Sequence, residues 1–201
     1  KITNPDTKVI IVSEPVDVMT TLFTRQSGLP AGQIMGLGCV LDATRLRYLI
    51  ANELSVAMEN VAAQIVGRHT DDMIMLEDYC CVSGISLDNF MSQKTMESLF
   101  EQARNAGHLI VDLAGRASAY YGPSAVAVEL AEAICMDTGR LMSVSSLLTG
   151  QYGIDDAALS LPCFIGRNGI SKTVEPLLTD TQTDTLVQSA RMITQTLKEA
   201  E

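Results

Sequence analysis

The chain has 201 residues, 47% hydrophobic and 19% charged, which suits one domain with a sizeable core. Its formal net charge of −10 excludes nucleic acid and an anionic membrane surface as main partners. Its apolar runs are far too short to span a bilayer, so no membrane partner is expected either. Lys1 opens into a polar segment, so no secretory leader is expected. In chain order, residues 7–12 (TKVIIV) form a short apolar run rich in β-branched residues, the pattern of a buried strand. Ser13-Glu14-Pro15 breaks it, and 16–26 reads as a helix with Pro15 near its first turn. Gly28-Leu29-Pro30 closes that helix, which is expected to offer Met19, Leu22 and Phe23 as an uncovered apolar patch. Residues 33–38 form a second extended piece.

Across 41–54 the apolar positions Leu41, Leu46, Leu49, Ile50 and Leu54 recur at helical spacing. Residues 62–67 read as a strand that delivers His69 onto a loop, and 73–83 as extended structure with a hairpin around Glu77-Asp78. Helices are expected over 93–114 and 125–136, separated by Tyr120-Tyr121-Gly122-Pro123. Strands follow at 140–148 and 161–166, and a polar amphipathic helix runs from Asp180 to the end. Strand pairs joined to long helices predict an α+β fold with antiparallel pairing, not a doubly wound parallel sheet.

The cysteines Cys39, Cys80, Cys81, Cys135 and Cys163 contain no CxxC pair and lie in apolar stretches. Buried free thiols in a reducing cytoplasm are expected. With His69 and His108 as the only histidines, a histidine-built metal site is not expected. Gly36-Leu37-Gly38 supplies a GxG, but Leu41 stands where a phosphate-binding fingerprint needs its third glycine. The GxG is assigned to turn geometry. Any dinucleotide site must lie mostly elsewhere.

Asp42, Arg45 and His69 make a chemically coherent set. Asp42 and Arg45 share one side of a helix. Together the three offer a proton donor/acceptor, a carboxylate to orient it and a guanidinium to grip an acid. On spacing alone a surface ion pair beside a structural histidine is the commoner arrangement, and both readings stand.

The surrounding residues decide more. Val12 to Asp17 (VSEPVD) resembles the "VSNPVD" segment of lactate and malate dehydrogenases, and GCVLDATRLR at 38–47 resembles "GTxLDSARFR". GRHTD at 67–71 resembles "GEHGD", GISL at 84–87 resembles "GIPL", and ASAYYGP at 117–123 resembles "GSAYYAP". GQYGI at 150–154 resembles "GEYG", and PCFIGRNGI at 162–170 resembles "PVxLGxxGI". The matches keep the family's order along nearly the whole chain. The chain therefore resembles the C-terminal substrate domain of the lactate/malate dehydrogenase superfamily, closest to its lactate-dehydrogenase-like malate dehydrogenases.

That resemblance implies an α+β domain of long helices and antiparallel strands over 15–201, preceded at 1–14 by the last strand region of a Rossmann domain. It implies NAD-dependent malate/oxaloacetate interconversion, with NAD held mostly by an N-terminal domain outside this chain, a small 2-hydroxy or 2-oxo acid substrate and a homo-oligomer. His69 would exchange the proton and Asp42 would orient it. Arg45, Glu14 and Ala119 would meet the substrate. Val12, Ser13 and Glu14 would pass the cofactor. The alternatives are a lactate dehydrogenase and a non-catalytic homologue serving as a binding or assembly subunit. Two departures motivate the last. Glu14 replaces the family's Asn, and an ionised carboxylate can only accept hydrogen bonds. Beside an anionic substrate about 5 Å away it costs on the order of 3 kcal/mol at an effective dielectric near 20. Thr70 replaces the glycine after the histidine and is expected to confine that loop to negative φ.

Overall fold

A computed structural model describes residues 4–114 and 120–200. Along the chain, β1 (Val9–Ile11) leads through α1 (Val16–Ser27) and β2 (Ile34–Gly36) to α2 (Val40–Leu54). Five two-residue strands follow: β3 (Val61–Ala62), β4 (Ile65–Val66), β5 (Ile74–Met75), β6 (Cys81–Val82) and β7 (Ile85–Ser86). The helices α3 (Gln93–Ala114) and α4 (Tyr121–Cys135) precede β8 (Arg140–Thr149), β9 (Asp155–Gly166) and β10 (Gly169–Thr173), and α5 (Asp180–Ala200) ends the fold.

The main sheet has five strands in the order β1-β2-β8-β9-β10. β1 pairs in parallel with β2, and the other neighbours are antiparallel. The expected α+β class with antiparallel pairing is what forms. β9 is buried without a break from Ala157 to Cys163, because helices and loops cover both of its faces. α5 sets Leu186, Ala190, Ile193 and Leu197 against it at alternating four- and three-residue spacing, one apolar helical stripe. On the other side, Val126, Leu130 and Ala133 of α4 pack with Met142, Val144, Cys163 and Ile165 of the sheet. A separate cluster joins α2 to α3 through Leu46, Ile50, Met96, Leu99 and Ala103. Each such fully buried leucine or isoleucine contributes about 1.5–3 kcal/mol of transfer free energy.

α1 departs from the ordinary amphipathic pattern. Its buried residues are Val16, Asp17, Thr20, Thr21 and Thr24, while Met19, Leu22 and Phe23 are half-buried. The threonines survive burial because their hydroxyls donate back to Val16 O, Asp17 O and Thr20 O at 2.7–2.8 Å. Thr21 Oγ1 also accepts the Ala158 N–H of β9 at 2.8 Å. The expected patch on α1 therefore does not form. Exposed apolar side chains sit instead at the end of α3 (Leu109, Ile110, Val111, Leu113) and the start of α4 (Tyr120, Tyr121).

Other expectations are corrected locally. The strand expected over 62–67 is two short strands with different partners, β3 with β6 and β4 with β5. Residues 77–79 are a turn and not a hairpin tip, since β5 and β6 belong to different sheets. α4 begins at Tyr121, with Pro123 in its first turn, where a missing N–H costs nothing. β9 begins at Asp155 rather than 161 and pairs with the unexpected β10. Cys39, Cys80 and Cys163 are buried free thiols, whereas Cys81 is half-buried and Cys135 exposed.

Candidate active site

Three segments converge on His69. The loop after β1 brings Val12, Ser13 and Glu14, the first two turns of α2 bring Asp42 and Arg45, and the loop after β4 brings His69 itself. β9 anchors two of them through one residue. Ser160 exchanges main-chain hydrogen bonds with Gly67 at 2.8 and 2.9 Å, which fixes the base of the His69 loop. Its hydroxyl accepts the Cys39 N–H at 3.0 Å, which fixes the start of α2. Gly38 is required here: its φ is +49°, and a Cβ would strike Ser145 and Ser160. The GxG is thus turn and packing geometry, as expected.

His69 Nδ1 lies 2.5 Å from Asp42 Oδ2, and Asp42 is fully buried. The other Asp42 oxygen accepts from Arg45 Nη1 at 3.2 Å. The remaining Arg45 donors make no hydrogen bond among the described residues, so the guanidinium keeps capacity for a carboxylate. His69 Nε2 points to the opposite side, 3.7 Å from Glu14 Oε1. Glu14 is largely exposed and uses Oε2 to accept the Val16 N–H at 3.0 Å.

Burial lowers the His69 pKa, but the hydrogen bond and charge of Asp42, with the charges of Glu14 and Asp17, outweigh it and leave it above the ordinary 6.5. The imidazole is thereby favoured in its protonated, donating form. Cys39 has its pKa raised by burial and by nearby Asp42 and Asp17, which leaves it a poor nucleophile.

Thr70 does not obstruct the loop. It is not among the residues with positive φ, and its hydroxyl bonds Asp72. Asp72 also pairs with Arg68 at 3.0 Å and accepts from Ser189 Oγ of α5 at 2.6 Å, so the segment is tied down on both sides. Burial acts to raise the Asp72 pKa, and the bonds from Ser189, Thr70 and Arg68 bring it below the usual carboxylate value.

The structure brings together His69, Asp42, Arg45 and Glu14, with Val12 exposed beside them. Ala119 lies outside the described residues. One buried acid has no role in the sequence reading: Asp17, whose Oδ2 accepts the His69 N–H at 2.8 Å. Its signal was the polar stripe Asp17, Thr20, Thr21, Thr24 at helical spacing, the face of α1 that turns inward. The clefts between α2, β3 and β8 and beside Asp71–Met75 are not lined by His69, whose side chain is 18% exposed. Among the described residues no group of three or more His, Cys, Asp or Glu is placed to hold a metal, and no helix is long and apolar enough to cross a membrane.

Known proteins resemble this chain in sequence and in fold. The family described as lactate/malate dehydrogenase, alpha/beta C-terminal domain, matches residues 39–201. A malate dehydrogenase of Chlorobium phaeobacteroides is 38% identical over 96% of this chain and 62% of its own length. One from Bacillus israeli is 34% identical over 97% of this chain and 62% of its own. The solved malate dehydrogenase of Salinibacter ruber superposes with a TM-score of 0.93 at 36% identity, covering 98% of this chain and 64% of that one. The chain spans about 62% of the length of these curated relatives.

Proposed function

The chain belongs to the lactate/malate dehydrogenase family through its α/β C-terminal domain, and from that premise we propose that it is the substrate-binding part of an NAD-dependent malate dehydrogenase. The observation that carries the reading is the His69–Asp42–Arg45 cluster, with Nε2 of the histidine turned away from Asp42 towards the largely exposed Glu14. In reduction of a 2-oxo acid, His69 donates its Nε2 proton to the oxygen on C2. In oxidation it takes that proton back. Asp42 holds Nδ1–H, fixes the tautomer and stabilises the cation. Arg45 binds the C1 carboxylate through donors not used by Asp42, so that the C2 oxygen meets Nε2.

The residues present fit a hydride carrier. No side chain here accepts a hydride, while proton-transfer and acid-binding groups stand together on a face that is open beside Val12. A bound nicotinamide supplies or takes the hydride. Val12, Ser13 and Glu14 are assigned to its side of the site, and Arg45, Glu14 and Ala119 to the substrate's. Residues 1–14 are assigned to the last strand region of a Rossmann domain and 15–201 to the substrate domain, which the parallel pairing of β1 supports. Free cysteines support a reducing cytoplasm. The exposed apolar ends of α3 and α4 support assembly into a homo-oligomer.

The test is NADH oxidation by the full-length protein with oxaloacetate and with pyruvate. Turnover with oxaloacetate is expected, reduced by roughly 10²–10⁴ in His69→Asn, the range for loss of a general acid. Arg45→Leu is expected to raise KM steeply. Preference for pyruvate would make it a lactate dehydrogenase. Silence with both would favour a non-catalytic subunit, the reading that the Glu14 carboxylate beside Nε2 supports.

A further inference from the structure

A third carboxylate stands beside His69, and the chemistry proposed above does not use it. Asp17 points inward from the first turn of α1 and is 3% exposed. Its Oδ2 accepts the His69 N–H, while its Oδ1 is buried and makes no hydrogen bond. The hydroxyl of Ser145 on β8 is equally buried and unbonded, yet close enough to Asp17 to lower its pKa. Packing imposes this closeness: a Cβ on Gly36 would meet both Thr20 of α1 and Ser145. Burial raises the Asp17 pKa from 3.8 to about 6, against the pull of Ser145 and of the His69 N–H and charge, with Glu14 adding to the rise.

The groups around Asp17 come from every neighbouring element. His69 lies on the loop after β4 and Glu14 on the loop after β1, while Cys39, at the start of α2, feels the charges of Asp17, Asp42 and Asp72 alike. From β8 the nearby polar group is the hydroxyl of Ser145. Among the described residues, Asp17 is the acid that grips the His69 main chain. We propose that Asp17 is a positioning residue of this site, which fixes the main chain of the His69 loop and, when ionised, favours the imidazolium from which His69 donates. The proposal rests on His69 as the proton-transfer group, but its test does not need turnover. Each group's charge stabilises the charge of the other, so the protonation of Asp17 is felt at the imidazole. Below about pH 6 Asp17 takes up a proton, and the imidazolium then leans on Asp42 and Glu14 alone.

The experiment follows the His69 imidazole resonance of the full-length protein by NMR from pH 4.5 to 9 (assigned by its loss in His69→Gln). The native protein is expected to show a main step and a smaller acid one near the Asp17 value of about 6. Asp17→Asn is expected to leave one step at a lower midpoint. Its amide oxygen can still accept the His69 N–H, and its NH₂ can donate to Ser145. If that variant does not fold, Ser145→Ala serves instead: loss of the hydroxyl raises the Asp17 pKa, and the acid step moves up. A single step in the native protein, unmoved by the variants, overturns the proposal. In kinetics, Asp17→Asn is expected to bring the alkaline limb of kcat/KM for reduction to lower pH. A changed His69 titration without turnover would remove the dehydrogenase reading and leave this one standing. Turnover with an unchanged titration would do the reverse.

Discussion

His69 has a carboxylate on each side, and their surroundings give them different roles. Asp42 is sealed in the interior and divided between Nδ1 and Arg45, so it orients the ring. Glu14 is 65% exposed and faces Nε2, the nitrogen that the proposed function assigns to the substrate. Water around it screens its charge, so the repulsion of an anionic substrate falls from the roughly 3 kcal/mol of a shielded pair towards about 1 kcal/mol. Glu14→Asn in the full-length enzyme is therefore expected to raise kcat/KM for a 2-oxo acid by roughly five- to tenfold. An amide oxygen can also keep the Val16 N–H bond as an Asx turn. Steady-state kinetics checks this, and a variant that is slower than the native protein would show Glu14 to be useful to the reaction. The difference between the two acids was not readable from the sequence, because it lies in burial. Asp42 was readable as part of a set, whereas Asp17 was hidden among polar neighbours on a helix whose inward face is not apolar.

The close approach of α1 to the sheet explains why small and hydroxylic residues gather there. A Cβ at position 36 would lie 2.5 Å from Thr20 Oγ1 and 2.8 Å from Val16 Cγ2, both on a rigid helix face. Gly36→Ala is expected to cost about 1–3 kcal/mol, as overpacked cores do. Gly139→Ala meets nothing within 4 Å and carries only the strain of its φ of +63°, about 1 kcal/mol. Urea midpoints with unchanged slopes check the order of the two, and equal losses would mean that α1 moves aside freely. The same packing marks what the sequence could say about the fold. Long periodic elements such as α2, α3, α5 and β8 were readable within a few residues. The two-residue strands were not, because alternation needs more residues than β3 to β7 possess. β10 was missed because its partner β9, and not its own pattern, holds Gly169 to Thr173 in place.

Acidity is built unevenly into the molecule, and this sets how its stability responds to pH. Unfolded Asp17 loses its proton near 3.8 and folded Asp17 near 6, so in that window the folded state binds more protons and stability falls as pH rises. The full rise corresponds to on the order of 3 kcal/mol. His69 acts in the same direction at higher pH: its raised folded pKa gives stability that is present below 6.5 and lost as pH climbs through the folded value. Asp72 opposes both, since its lowered pKa gives stability that is lost only as pH falls below about 3.8. The net charge of −10 adds self-repulsion at neutral pH that acidification relieves. The melting temperature is therefore expected to rise on going from pH 8 to pH 4.5 and to drop again below pH 4. Roughly 2 kcal/mol from Asp17 returns over that interval, which for a domain of this size is roughly 4–8 °C. Calorimetry across pH 3.5–8.5 measures it directly. In Asp17→Asn the gain between pH 6 and pH 4.5 is expected to shrink, because the group that causes it no longer titrates. A melting temperature that is flat across this range, or highest at pH 8, would mean that the folded state does not hold Asp17 as a buried acid.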